Sequence, residues 1–206
     1  ALPAGHLPAL QWYWHAGTAW KDDHYTAATL ANRGHLAALR IAHGLGLLLT
    51  DDDVCMRAAK YGHLATLQWL RAQDPPCPWG EHPCLYAAEN GHLEVLQWMH
   101  AQEPPCPWDG DACVYAAKGG HLNILQWLRA QKPPCPWGMQ TCSMAAQYGH
   151  LEILQWVNTL DDGRWLLLNN EGVCTGAAGC GRLDILQWAR GFGVSWGTDA
   201  CAIAAK

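Results

Sequence analysis

Apolar and polar positions along this chain follow two helical rhythms that recur in a constant order. In the first, small apolar side chains fall at i, i+3 and i+4, as in Cys113, Ala116 and Ala117. That spacing puts three small groups on one face of a short helix, which can then approach a neighbour closely. In the second, Leu122, Leu125, Trp127 and Leu128 are interleaved with Asn123, Gln126 and Arg129, an amphipathic pattern of helical period. Gly120 separates the two and suits the left-handed end of the first helix. Lys132-Pro133-Pro134 stops the second, because proline lacks a donor and disfavours helix in the residue before it. Asp53, Asp111 and Asp199 stand at the expected capping position of the first helix, and Pro83 at its first helical position in another copy. Helices of about 8 and 10 residues are marginal alone in water. The pattern therefore predicts an all-α solenoid of stacked helix pairs with short Pro-rich connectors.

The rhythm is a true repeat. Gly-His-Leu occurs with its glycine at 5, 34, 62, 91, 120 and 149, and Gly181-Arg182-Leu183 follows as a variant, so the period is close to 29 residues. Leu-Gln-Trp follows most of these glycines, as at Leu67-Gln68-Trp69 and Leu154-Gln155-Trp156, whereas Leu39-Arg40-Ile41 departs from it. Cys-x-x-Ala-Ala precedes most of them, and Pro-Pro-Cys-Pro-Trp comes earlier still, ending at Trp79, Trp108 and Trp137. This register predicts about seven repeats in a single domain, 1–206, with both ends falling inside a repeat as in a segment of a longer array.

The run Ala87-Ala88-Glu89-Asn90-Gly91-His92-Leu93-Glu94-Val95-Leu96 resembles the central signature of ankyrin repeats, and the resemblance covers essentially the whole chain. It departs from the family where His82-Pro83-Cys84-Leu85 and Asp111-Ala112-Cys113-Val114 stand in place of the family's Thr-Pro-Leu-His opening. The short Cys-Pro-Trp connector implies compact loops in place of the family's protruding β-hairpin fingers. Repeats of this short kind are similar to ankyrin-like proteins of protists and of giant DNA viruses of the pandoravirus type. Some of those resemble substrate adaptors with an F-box ahead of the repeats, and these residues contain no F-box.

Charge and composition narrow the partners. A formal net charge of −5, with 13 Lys and Arg scattered singly, offers no footprint for a phosphate backbone, so nucleic acid is excluded as a partner. No stretch reaches the roughly 18 apolar residues of a membrane span, and the first residues lack the basic start and apolar run of a signal peptide.

Most chemical-looking residues fall into the register. Cys55, Cys84, Cys113, Cys142, Cys174 and Cys201 occupy one inner-helix position and Cys77, Cys106 and Cys135 one connector position; only Cys180 lies off both. Each connector cysteine is seven residues from a helix cysteine, which admits zinc or a disulfide. However, no C-x-x-C occurs, and neighbouring helices stack about 8–10 Å apart. The thiols therefore read as reduced core residues and the location as cytoplasmic, with a virion also open. The histidines at 6, 35, 63, 92, 121 and 150 read as structural, bonding backbone at the turn and tying one repeat to the next, and Arg182 fits that role better than a ligand's. The tryptophans at 69, 98, 127, 156 and 188, and those at 79, 108, 137 and 196, read as two internal ladders. Asp51-Asp52-Asp53 and Asp161-Asp162 read as solvated turns or caps, and Trp165 with Leu166, Leu167 and Leu168 as a second contact or a locally buried loop. No phosphate loop, nucleophile elbow or zinc helix is present. No enzyme, cofactor or metal is expected.

What the framework does not explain is the part that varies. His82, Leu85 and Tyr86, then Asp111, Val114 and Tyr115, then Gln140, Ser143 and Met144 occupy equivalent positions whose side chains do not repeat as the framework does. In ankyrin-like stacks those positions line the concave face, which predicts a scaffold that binds another protein there. The resemblance extends this to a viral protein engaging a host factor, or to a substrate-recognition adaptor. The rival reading is a spacer or virion component that associates end to end.

Overall fold

The computed structural model describes residues 24–49, 51–79 and 82–196. The Gly5 copy, Asp199 and Cys201 lie outside the described residues. Thirteen helices and no strand occur among the described residues. Twelve of them form six pairs: α1 (His24–Asn32) with α2 (Leu36–Gly44), α3 (Asp52–Lys60) with α4 (Leu64–Arg71), α5 (Pro83–Glu89) with α6 (Leu93–His100), α7 (Asp111–Gly119) with α8 (Leu122–Arg129), α9 (Met139–Tyr148) with α10 (Leu151–Asn158), and α12 (Glu171–Gly179) with α13 (Leu183–Phe192). The remaining helix, α11 (Asp161–Leu168), stands between the last two pairs.

The molecule divides into two compact units, Ala1–Ala87 with Glu94–Pro107, and Ala88–Leu93 with Trp108–Lys206. In the first unit α1 packs on α3; in the second α7 packs on α9 and α9 on α12, so first helices stack on first helices. The small residues make this possible: Cys55, Ala58 and Ala59, like Cys113, Ala116 and Ala117, are completely buried. Second helices supply the bulk, with Leu67, Leu70, Leu125, Leu128, Ile153 and Leu154 filling the interior of their units.

The corner between paired helices carries the tie between repeats. Gly120 closes α7 at φ 79°, a left-handed conformation that disfavours any side chain. A Cβ there would also sit 2.5 Å from the His150 ring. That ring belongs to the next repeat, and its Nε2–H donates 3.0 Å to the Lys118 carbonyl. His63 does the same to Asn32 in the first unit and His121 to Glu89 in the second, each at 3.0 Å. Arg182 takes over in the last copy, its Nε donating to the Gln147 carbonyl at 3.4 Å. The repeated histidine is thus a structural donor, as its tolerance of arginine implies.

Capping differs from the expectation by two residues. The Asp51 carboxylate, rather than Asp53, caps α3, accepting from the Asp53 N–H at 2.9 Å. Likewise Asp111 is the first residue of α7, and the Asp109 carboxylate accepts its N–H at 3.0 Å. Each helix thus begins one or two residues earlier than expected, with Asp52 and Asp111 as exposed first residues. Asp51→Ala should lower stability by about 1 kcal/mol in a denaturant titration, since it leaves a first-turn N–H without its acceptor.

Among the described residues the connectors are compact loops without a β-hairpin. Their cysteine N–H donates back to the second helix, Cys77 to Leu70 at 3.2 Å, Cys106 to Met99 at 3.1 Å and Cys135 to Leu128 at 3.1 Å. Arg71 and Arg129 donate to the Cys77 and Cys135 carbonyls at 2.6 and 2.9 Å and lie 4.4 Å from the Trp79 and Trp137 ring centroids. Trp79–Trp98, Trp108–Trp127 and Trp137–Trp156 pack as ring pairs with centroids 5.9, 5.4 and 5.7 Å apart. These pairs replace the two internal ladders expected: only Trp79 is buried, its partners and the equivalent rings keep an exposed edge, and Trp196 is exposed.

The irregular insertion after residue 160 is a helix, α11, where a turn and loop were expected. Asp162 is held by Arg129 at 2.8 Å and by the Trp137 indole N–H at 3.0 Å, so its carboxylate anchors the insertion to a connector. Leu167 is buried beneath it and Trp165 stays 59% exposed.

Candidate protein-binding surface

The residues that vary between copies do not all reach the surface. Leu85 and Val114 are each 8% exposed, so they belong to the packing of their helices and present almost nothing to a partner. Ser143 is half-buried and its hydroxyl is engaged, 3.1 Å from both the Met139 carbonyl and the Asn170 side chain. Asn170 is itself buried; its amide donates to the Met139 carbonyl at 2.6 Å and its oxygen accepts the Gly172 N–H at 3.0 Å. Ser143 therefore locks α9 to the start of α12. His82 and Tyr86 in the first unit, and Asp111, Tyr115, Gln140 and Met144 in the second, retain exposed or half-exposed side chains.

The structure adds residues that the variable positions did not indicate. In the second unit the Lys118 ammonium lies 5.6 Å from both the Tyr115 and Tyr148 ring centroids and 2.7 Å from the Glu89 carboxylate. The Glu89 hydrogen bond holds the Lys118 ammonium above the usual lysine range, ahead of any opposing effect of burial. In the first unit Lys60 lies 5.1 Å from the Tyr86 ring and 5.8 Å from the Tyr61 ring. Each unit thus carries a lysine set among tyrosines on first helices, with Tyr61 46% and Tyr148 41% exposed. The signal was in the sequence: Lys118 is three residues on from Tyr115, and Tyr148 four on from Met144, so each lies one turn along the same helix face.

Tyrosine offers large contact area with few rotors to immobilise, methionine a flexible apolar one, and a cation over an aromatic face holds the ring orientation. Among the described residues no group of three or more His, Cys, Asp or Glu is arranged to hold a metal ion. Nor is any helix among them long and apolar enough to cross a membrane.

Helix pairs joined by a left-handed glycine corner, stacked first helix on first helix and tied by a side chain of the next copy, define a helical-repeat scaffold. The family model described as ankyrin repeats (3 copies) matches residues 55–135, which span the corners at Gly62, Gly91 and Gly120. Ankyrin repeats are general protein–protein interaction modules. No curated protein matches the chain.

Proposed function

We propose that the chain is an interaction scaffold that grips a partner protein through the exposed side chains of its first helices. One contrast carries the reading. Cys113, Ala116 and Ala117, which recur from copy to copy, are buried, whereas the position held by Tyr86, Tyr115 and Met144 changes along the array and remains accessible. Their tyrosine and methionine content is that of binding hot spots. The resemblance to giant-virus repeats favours a host protein as partner, or a substrate held for an adaptor, in the cytoplasm or from a virion.

The test is affinity capture with the wild type and with Tyr86, Tyr115 and Met144 all changed to alanine. A partner bound by the wild type should be held at least about tenfold more weakly by the triple variant, with the thermal midpoint of the variant unchanged. Equal capture by the two proteins would overturn the reading.

A second reading, a self-assembling spacer, is favoured by Trp165, Leu183, Phe192 and Trp196 of the second unit, which are 59, 64, 50 and 42% exposed. It expects the molar mass in sedimentation to grow with concentration, and Leu183→Lys with Phe192→Lys to abolish that growth. A monomer at every concentration contradicts it.

A further inference from the structure

The cysteines of the described residues are free thiols, and they are of two kinds. Cys55, Cys84 and Cys113 are each influenced by the connector cysteine of their own helix pair, 22 residues further on; for Cys84 and Cys113 a nearer connector cysteine lies seven residues before. Cys55 Sγ lies 3.8 Å from the Cys77 carbonyl oxygen and Cys84 Sγ lies 4.0 Å from that of Cys106. In all three pairs the connector thiol is the neighbour that most strongly raises the first-helix thiol, while the connector sulfurs themselves donate to backbone carbonyls, Cys77 to Asp51 at 3.6 Å and Cys135 to Asp109 at 3.3 Å. Cys142 and Cys174 have Arg164 and Trp196 at the corresponding place and belong to no pair. All six paired thiols are buried, the connector members at 1 to 2% exposure.

We propose that Cys55/Cys77, Cys84/Cys106 and Cys113/Cys135 are three dithiol sites that close into disulfides within the folded protein when a low-molecular-weight disulfide, such as oxidised glutathione, is present. The first-helix sulfurs already lie against the backbone of the connector cysteines, 3.8 Å from the Cys77 carbonyl and 4.0 Å from that of Cys106, so a side-chain rotation at the connector cysteine brings the two sulfurs together. Each link would pin a connector, which has no helix of its own, onto the first helix of its repeat.

The Cys113/Cys135 pair shows how the roles divide. The hydrogen bond from Cys113 lowers the Cys135 thiol below the ordinary range, with a further contribution from the Arg129 guanidinium. The same hydrogen bond, with burial, raises Cys113. Cys135 is the more readily ionised thiol of the two and, being 1% exposed at rest, attacks when local opening of the connector uncovers it. It displaces one glutathione thiolate from oxidised glutathione and keeps the other as a mixed disulfide. Cys113 then gives up its proton, attacks the Cys135 sulfur and expels the second glutathione. Two electrons and two protons leave the protein dithiol, and two glutathione thiols are formed.

The experiment treats the folded chain with oxidised glutathione, quenches exchange with acid, unfolds the protein in the presence of excess alkylating agent and maps its links by mass spectrometry. The expected result is the three links named, with Cys142, Cys174, Cys180 and Cys201 alkylated, and a thermal midpoint that rises and returns on reduction. Cys113→Ser should leave Cys135 as a stable glutathione adduct while the other two links still form. Ten alkylated thiols, or links between Cys77 and Cys84, Cys106 and Cys113, and Cys135 and Cys142, would each overturn the proposal.

Discussion

Raising the pH from 9 toward 12 should weaken the fold steeply, with the denaturation midpoint falling at each step. The reason is clearest at Cys142, a wholly buried residue of α9 whose thiol burial alone pushes up to about 12 from an ordinary 9.0. In the unfolded chain the thiol ionises near 9, while in the folded protein it keeps its proton, so unfolding releases a proton throughout that window. The stabilisation is complete below pH 9 and is lost as the pH rises through about 12. At about 1.4 kcal/mol per unit, the loss for Cys142 amounts to about 4 kcal/mol. Cys174, raised by burial, acts in the same direction, as do Cys55, Cys84 and Cys113, raised by their hydrogen bonds to the connector thiols and by burial. Cys135, held low, acts in the opposite sense. Cys142→Ala should be somewhat less stable at pH 8 yet lose less on going to pH 11. If the two proteins show the same slope against pH, burial of this thiol is not the source.

Gly120→Ala should destabilise the protein by about 2–4 kcal/mol. A left-handed backbone costs a residue with a Cβ about 1–2 kcal/mol. The new methyl would also displace the His150 ring, which lies 2.5 Å from its position, and break the 3.0 Å bond to the Lys118 carbonyl. That bond is worth about 1 kcal/mol, and more if the carbonyl is left unpaired. A double-mutant cycle separates the two effects. In a His150→Ala background the ring is gone, so Gly120→Ala should cost only the backbone strain. An equal cost in both backgrounds would show that the close approach of glycine and histidine contributes nothing.

Both predictions concern the framework, and the framework was the legible part. A 29-residue period carrying small residues at i, i+3 and i+4, a glycine and an amphipathic stretch leaves a helix pair as the one arrangement that satisfies every position. The roles of the corner histidine and of Pro83 as a helix start followed from the same pattern. The variable positions were less legible: Tyr86, Tyr115 and Met144 are accessible, whereas Leu85 and Val114 are inside. Variation between copies marks positions the framework does not dictate, and a position can vary because its pocket tolerates leucine or valine as readily as because it faces solvent.

The sequence by itself determined the class of element, the corner and the order of the pairs, because these depend on residues within one period and recur in each. Three things were decided only in three dimensions. The segment Asp161–Leu168 is a helix because Asp162 finds Arg129 and the Trp137 indole, residues more than 20 positions earlier. The lysine–tyrosine clusters assemble from adjacent first helices. The thiol pairs join cysteines 22 residues apart, because the connector folds back over its own helix pair and returns its cysteine to the helix where the repeat began. Spacing along the chain ranks the seven-residue neighbour first, and the fold reverses that ranking by bringing the two ends of one repeat together.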